Sequence, residues 1–145
     1  MQKLIYKLVT NLQELKDAFS IREVVFIDEQ QVPKELEMDE YDNTATHFIV
    51  YDDKRPVATA RMREYHDPST VKIERVAVLK DERGKGIGKK LMTFIEQEAL
   101  KMGFKTLRLN AQRHAETFYK DLGYMTISEP FDEAGIEHVT MEKKS

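Results

Sequence analysis

Glycines recur at every second position in Gly84, Gly86 and Gly88, and no other feature of the chain restricts its fold as tightly. The apolar run Val76-Ala77-Val78-Leu79 precedes them. After them Ile87, Leu91, Phe94, Ile95, Ala99 and Met102 recur at helical spacing. Gly103 stands just past the end of that helix, where left-handed backbone is needed. Residues 104–109 read as a further strand. Strand, tight loop, helix and strand in this order predict a right-handed crossover between parallel strands. The loop has a chemical meaning too. A helix start carries unpaired N–H groups and positive dipole charge, and glycines let an anion approach the main chain closely. Arg83, Lys85, Lys89 and Lys90 add attraction. A Walker loop does not fit, because Arg83 stands where its first glycine belongs and Lys90 where its hydroxyl belongs. A dinucleotide fingerprint does not fit either, because its third glycine is replaced by Lys89. On spacing alone, a plain turn with lysines remains an equal reading.

The rest of the chain supplies elements on both sides of this unit. Residues 3–9 alternate as a strand. Asn11 with Glu14 resembles a capping box and opens a helix whose face holds Leu12, Leu15, Phe19, Arg22 and Phe26. Val32-Pro33 breaks it, and the acidic residues 34–45 read as loop. Strands are predicted over residues 46–51, 57–64 and 71–79, joined by turns. A last helix from about Ala111 places Ala115, Phe118, Tyr119 and Leu122 together. A strand pair over residues 124–128 and 136–142 closes the chain. With 145 residues this makes one domain, 1–145, with no linker or repeat.

Charge and composition exclude several function classes. The chain has no cysteine, which removes disulfides, cysteine nucleophiles and Cys-ligated zinc, and suits a reducing, cytoplasmic setting. Four scattered histidines show no metal spacing, so no metal is expected. A net charge of −3 argues against nucleic acid as partner. No apolar run exceeds four residues, which argues against a membrane partner, and the first residues show no signal-peptide pattern. Seven acidic residues against one lysine between Asp28 and Asp42 make a run that either attracts a cationic substrate or simply faces water.

Arg83-x-x-Gly86-x-Gly88 resembles the pyrophosphate loop of the GNAT superfamily of acyl-CoA-dependent N-acyltransferases. Asn110-Ala111-Gln112 with Ala115-x-x-Phe118-Tyr119-x-x-x-Gly123-Tyr124 resembles the family's second motif, with Tyr124 where phenylalanine is commoner. Arg22-x-x-Val25-Phe26-x-x-Glu29-Gln30-x-x-Pro33 and Gly135-Ile136-x-His138-x-x-Met141 are similar to the ElaA/YjcF-like branch of its bacterial members. The resemblance implies an α/β (α+β) fold. Its sheet would be mixed but mostly antiparallel, with about 6–7 strands splayed between those at 71–79 and 104–109, and about 3–4 flanking helices. It also implies acetyl transfer from acetyl-CoA, a co-substrate, to a small-molecule or peptide amine, as a monomer or homodimer. The cofactor would meet Val76, Ala77 and Val78 along its pantetheine arm, Arg83, Gly84, Lys85, Gly86, Ile87 and Gly88 at its pyrophosphate, and Asn110 and Tyr119 between.

The residues themselves leave roles open. Tyr119 is expected to protonate the leaving thiolate, against a core-packing alternative. Glu74 is expected to share a face with Val76 and Val78 and to serve as base with a raised pKa. Its alternative is an ion pair with Lys72 or Arg75. His138 is an acceptor-site base or a hydrogen-bonded structural residue, and His47, His66 and His114 read as surface or turn residues. Arg22, Phe26, Glu37 and Asp39 are candidates for the acceptor pocket, with a surface lid as the alternative. A non-catalytic acyl-CoA sensor and an acyl-homoserine-lactone-synthase-like enzyme are the rival functions.

Overall fold

In a computed structural model describing residues 2–144, the chain forms one mixed sheet with helices on both faces. Strand β1 (Leu4–Leu8) leads into α1 (Leu12–Arg22). Asn11 caps α1 by accepting from the Glu14 amide at 2.9 Å, while the Glu14 carboxylate reaches back one residue further, to the Thr10 amide at 2.8 Å. The helix does not stop at Arg22 but widens into a π-helical stretch, Glu23–Glu29. A short helix, α2 (Lys34–Glu37), and a 3₁₀ turn, Glu40–Asn43, occupy the acidic segment that the sequence suggested as loop. Then come β2 (Thr46–Asp52), β3 (Arg55–Glu64), β4 (Thr70–Val78), α3 (Ile87–Lys101), β5 (Thr106–Gln112), α4 (Glu116–Asp121), β6 (Met125–Thr126), β7 (Phe131–Glu133) and β8 (Ile136–Lys144).

The strand order is β1-β2-β3-β4-β5-β8-β6, with β7 also pairing β8. Among the described residues only β4 and β5 run parallel, and α3 is their crossover. The described residues form eight strands where about six or seven were expected, because three residues between Pro130 and Gly135 pair with β8. The last helix also starts later than expected: β5 continues to Gln112, and α4 begins at Glu116.

Two clusters cover the two faces of the sheet. On one face Ile87, Leu91, Met92, Ile95 and Ala99 of α3 pack with Tyr119 of α4 against Phe48, Ala58, Ala60, Met62, Val71 and Ile73. On the other, Ala18, Ile21 and Val25 of the first helix meet Ile49 and Ala77. Leu12, expected on the buried face of α1, is 65% exposed in its first turn. No helix among the described residues is long and apolar enough to cross a membrane.

A break between β4 and β5 decides what this sheet can bind. Their pairing runs from Thr70↔Thr106 to Ile73↔Leu109 and ends there. On the other side of β4 the register with β3 shifts between Thr59 and Arg61, so Arg75 and Val76 together oppose Ala60. Arg75 takes a left-handed φ of 57° at this bulge. An extra residue in one strand bends it and interrupts the ladder. β4 therefore leaves its neighbour, and a wedge-shaped opening forms.

Candidate active site

The opening is a cleft of about 980 Å³. Its walls are β4 from Lys72 to Val78 and β5 from Leu109 to Gln112, its floor includes Tyr119 and Phe118, and the glycine loop closes one end. Of the residues singled out in the sequence, Phe26, Glu37, Glu74, Val76, Ala77, Val78, Arg83, Gly84, Gly86, Ile87, Gly88, Asn110, Tyr119 and His138 border it, whereas Arg22, Asp39 and Lys85 do not.

The glycine loop presents unpaired amides and positive charge to the cleft. Gly86 sits at the N-cap of α3 with φ 82°, a left-handed conformation that a side chain would strain. No side chain caps the helix, and the first α-type bond returns from the Lys90 amide to Gly86, so the amides of Ile87, Gly88 and Lys89 precede it. A Cβ on Gly88 would come within 3.4 Å of Phe118, so this glycine sets the close packing of α3 on α4. Arg83 is held over the loop by Glu29, at 2.7 and 2.9 Å, and by the Val78 carbonyl at 2.9 Å. Lys85 instead pairs with Glu82 at 3.3 Å.

Between loop and mouth stand two groups able to exchange protons. Tyr119 is buried between Phe118 and Tyr124, which meet its ring edge to face at 5.0 and 5.8 Å. Its hydroxyl has no hydrogen-bond partner among the described residues, yet the only fully enclosed side-chain polar atom there without a partner is Tyr6 Oη. The Tyr119 hydroxyl therefore opens onto the cleft. Burial raises its pKa, so the phenol keeps its proton. On β8, His138 Nδ1 lies 2.7 Å from the Ile136 carbonyl, which fixes the proton on that nitrogen. His138 Nε2 is left to face the cleft, with the Glu133 carboxylate at 3.4 Å. Asn110 accepts from Thr140 Oγ1 at 2.9 Å, which orients its amide at the wall.

Glu74 does not have the environment expected of it. The bulge switches the alternation of β4: Val71, Ile73, Val76 and Val78 face α3, whereas Glu74 faces Arg61 on the α1 side. Arg61, Arg63 and Lys72 lie within 2.9, 2.9 and 3.0 Å of it. Burial pushes its carboxyl up, but the Arg63 hydrogen bond and the charges of Lys72 and Arg61 outweigh that, and its pKa falls to about 2. A carboxylate so strongly stabilised is a weak base.

The acidic segment likewise turns inward. Arg22, 1% exposed, holds Glu37 at 2.6 Å and Asp42 at 2.6 Å. Arg61, also 1% exposed, holds Asp39 at 2.6 Å, Asp42 at 2.8 Å and Glu74. Arg22 and Asp39 are therefore parts of a buried ion network, not acceptor ligands, and Glu37 at 3% exposure is sealed behind the wall it borders. His47, expected at the surface, is 7% exposed beside this network, with Nε2 at 3.0 Å from the Asp42 carbonyl. Three wall residues were given no role from the sequence, although Gln30 and Gln112 stand in the motifs quoted above. Gln30 and Gln112 exchange amide hydrogen bonds across the cleft at 2.9 and 3.3 Å, and Glu133 belongs to the short strand that sequence periodicity could not reveal.

The network makes stability depend on acid in a definite direction. Burial would raise the Asp42 carboxyl, but Arg22 and Arg61 hold its pKa at about 2, as Glu74 is held at about 2. Carboxyls depressed below their unfolded value of about 4 add stability above pH ~4 and lose it as pH falls towards ~2. Urea midpoints at pH 7, 4 and 2.5 should fall steeply between the last two values. A flat midpoint over that interval would show that these carboxylates are not paired in solution.

A parallel pair splayed at a bulge, over an uncapped glycine-led helix, defines the GNAT class of fold. The chain belongs to the GNAT acetyltransferase family: residues 14–145 match the model of the Acetyltransferase (GNAT) domain. A Bacillus subtilis (strain 168) protein named "Uncharacterized N-acetyltransferase YjcF" is 44% identical over 134 residues, covering 92% of this chain and 94% of that one. The crystal structure of Escherichia coli ElaA superimposes with a TM-score of 0.86 at 27% identity, covering 99% of this chain and 100% of that one. A GNAT family acetyltransferase from Elizabethkingia anophelis, solved with acetyl-CoA bound, shares the fold with a TM-score of 0.75 at 15% identity, covering 98% of each chain.

Proposed function

We propose that this chain transfers an acetyl group from acetyl-CoA to a primary amine inside the cleft, with both substrates bound together. One observation carries the reading: β4 leaves β5 directly above the uncapped start of α3, with the Tyr119 hydroxyl open at the junction. Family membership and the acetyl-CoA-bound neighbour support it. The pyrophosphate is assigned to the amides and charge of the segment Arg83–Gly88. The pantetheine arm takes the strand-like place beside Val76, Ala77 and Val78, in the manner of an added strand, with Asn110 opposite.

His138 Nε2 accepts a proton from the acceptor ammonium, and Glu133 stabilises the resulting imidazolium. The amine lone pair attacks the thioester carbonyl carbon, and its oxygen takes up negative charge near the Val76 amide. The C–S bond then breaks, and the electron pair leaves with sulfur. Tyr119 gives its proton to the thiolate and is reprotonated by the proton lost from nitrogen. One proton per turnover goes to solvent from His138.

Melting the protein with acetyl-CoA, CoA, ATP or NAD tests the donor site. A ligand at about 100 times its Kd adds ~2.7 kcal/mol, a shift of several degrees. Acetyl-CoA and CoA should raise Tm and the others should not. A shift with ATP or NAD alone would overturn the reading.

A further inference from the structure

The ion network behind the cleft wall is unbalanced. It joins five cations, Arg22, Arg61, Arg63, Lys72 and Arg75, to four carboxylates, Glu37, Asp39, Asp42 and Glu74. Burial lowers the pKa of neighbouring His47, which leaves it neutral at pH 7, so it adds nothing. The surplus is one positive charge. Of the five cations only Lys72 and Arg75 border the cleft, beside Glu37 and Glu74 of the same network.

Arg75 is placed to use that surplus. Its Nε donates to the Glu37 carbonyl at 3.1 Å, and its Nη2 to the Leu36 carbonyl at 3.3 Å and to Asp39 at 3.2 Å. Its Nη1 makes no hydrogen bond among the described residues and is not enclosed, since the only enclosed orphan atom there is Tyr6 Oη. The left-handed bulge fixes the backbone beneath it. Burial and the charges of Arg61 and Arg22 lower its pKa, against the raising effect of Glu74 and Glu37. Of the other acids on the wall, Glu29 pairs with Arg83 and Glu82 with Arg55, while Glu133 faces His138 on β8.

We infer that the acceptor amine carries an oxyanion group, a carboxylate or a phosphate, within a few bonds of its nitrogen, and that Arg75 and Lys72 bind that group. This rests on the acetyl-transfer reading. It reverses what the acidic run suggested, because a guanidinium already pairs with each carboxylate of that run that borders the cleft, Glu29 and Glu37. β4 and β8 flank β5 on opposite sides, so an anion held from β4 leaves the amine free to reach His138 on β8.

The test is a matched acceptor series with acetyl-CoA: β-alanine, 2-aminoethyl phosphate, β-alaninamide, propylamine and putrescine. A charge-assisted bond to the anion should favour one or both anionic amines by roughly 10–100-fold in kcat/KM. The better of the two identifies the oxyanion. Lys72→Met should erase much of that preference through KM, with acetyl-CoA still raising Tm. Arg75→Gln should do the same, and Lys72→Met covers the case in which loss of Arg75 unseats α2. If acetyl-CoA binds but neither anionic amine outpaces the neutral and dicationic ones, the inference falls and the acetyl-transfer reading stands. If acetyl-CoA does not raise Tm, both fall.

Discussion

Arg61→Met should lower stability by about 3–5 kcal/mol, the range for removing one partner of a buried ion pair. For a chain of this size that is a Tm loss on the order of 10 °C. The methionine fills most of the space, so the loss is chiefly electrostatic. Arg61 bridges Asp39, Asp42 and Glu74, and without it three carboxylates are left to Arg22, Arg63, Lys72 and Arg75. Arg61→Lys keeps the charge but not the planar fork that spans the carboxylates, so it should fall between wild type and Met. Thermal melts of the three proteins at pH 7 check this. A loss below ~1 kcal/mol for Arg61→Met would mean that the network is worth no more than surface ion pairs.

The glycine loop, α3 and the strands beside them were legible because their signals are local. Helical spacing, glycine punctuation and apolar runs all lie within about 30 residues of one another. The aromatic pair Phe118-Tyr119 was legible only with the family motif, since helical spacing alone favours a core residue. Three parts were not legible, each for a physical reason. The bulge at Arg75 carries no sequence mark, because an arginine with φ 57° looks like any strand residue until its pairing is known. That one residue moved Glu74 away from Val76 and Val78 and made it a network carboxylate. The acidic segment read as solvated because its counter-charges, Arg22 and Arg61, lie some 15 to 22 positions away and meet it only after β3 and α1 pack together. The three-residue strand Phe131–Glu133 is too short for periodicity to reveal, and with it went the partner of His138.

Tyr119→Phe isolates the hydroxyl. The ring contacts to Phe118 and Tyr124 remain, and the lost oxygen has no partner among the described residues, so Tm should change little. Loss of a general acid lowers turnover by about 10²–10⁴-fold. Acetyl-CoA affinity should stay within a few-fold of wild type, because the proposed donor contacts lie in the loop and β4. Tyrosine as a packing residue alone would give the opposite pattern, an unchanged rate.

The deciding measurement follows thiol release and N-acetyl product together, for wild type and Tyr119→Phe, with saturating acetyl-CoA and the best acceptor of the amine series. Transfer in this cleft requires one amide formed per thiol released, and a kcat lower by about 10²–10⁴-fold in the variant at unchanged Tm. Thiol release without amide, or a variant that turns over at the wild-type rate, would contradict it.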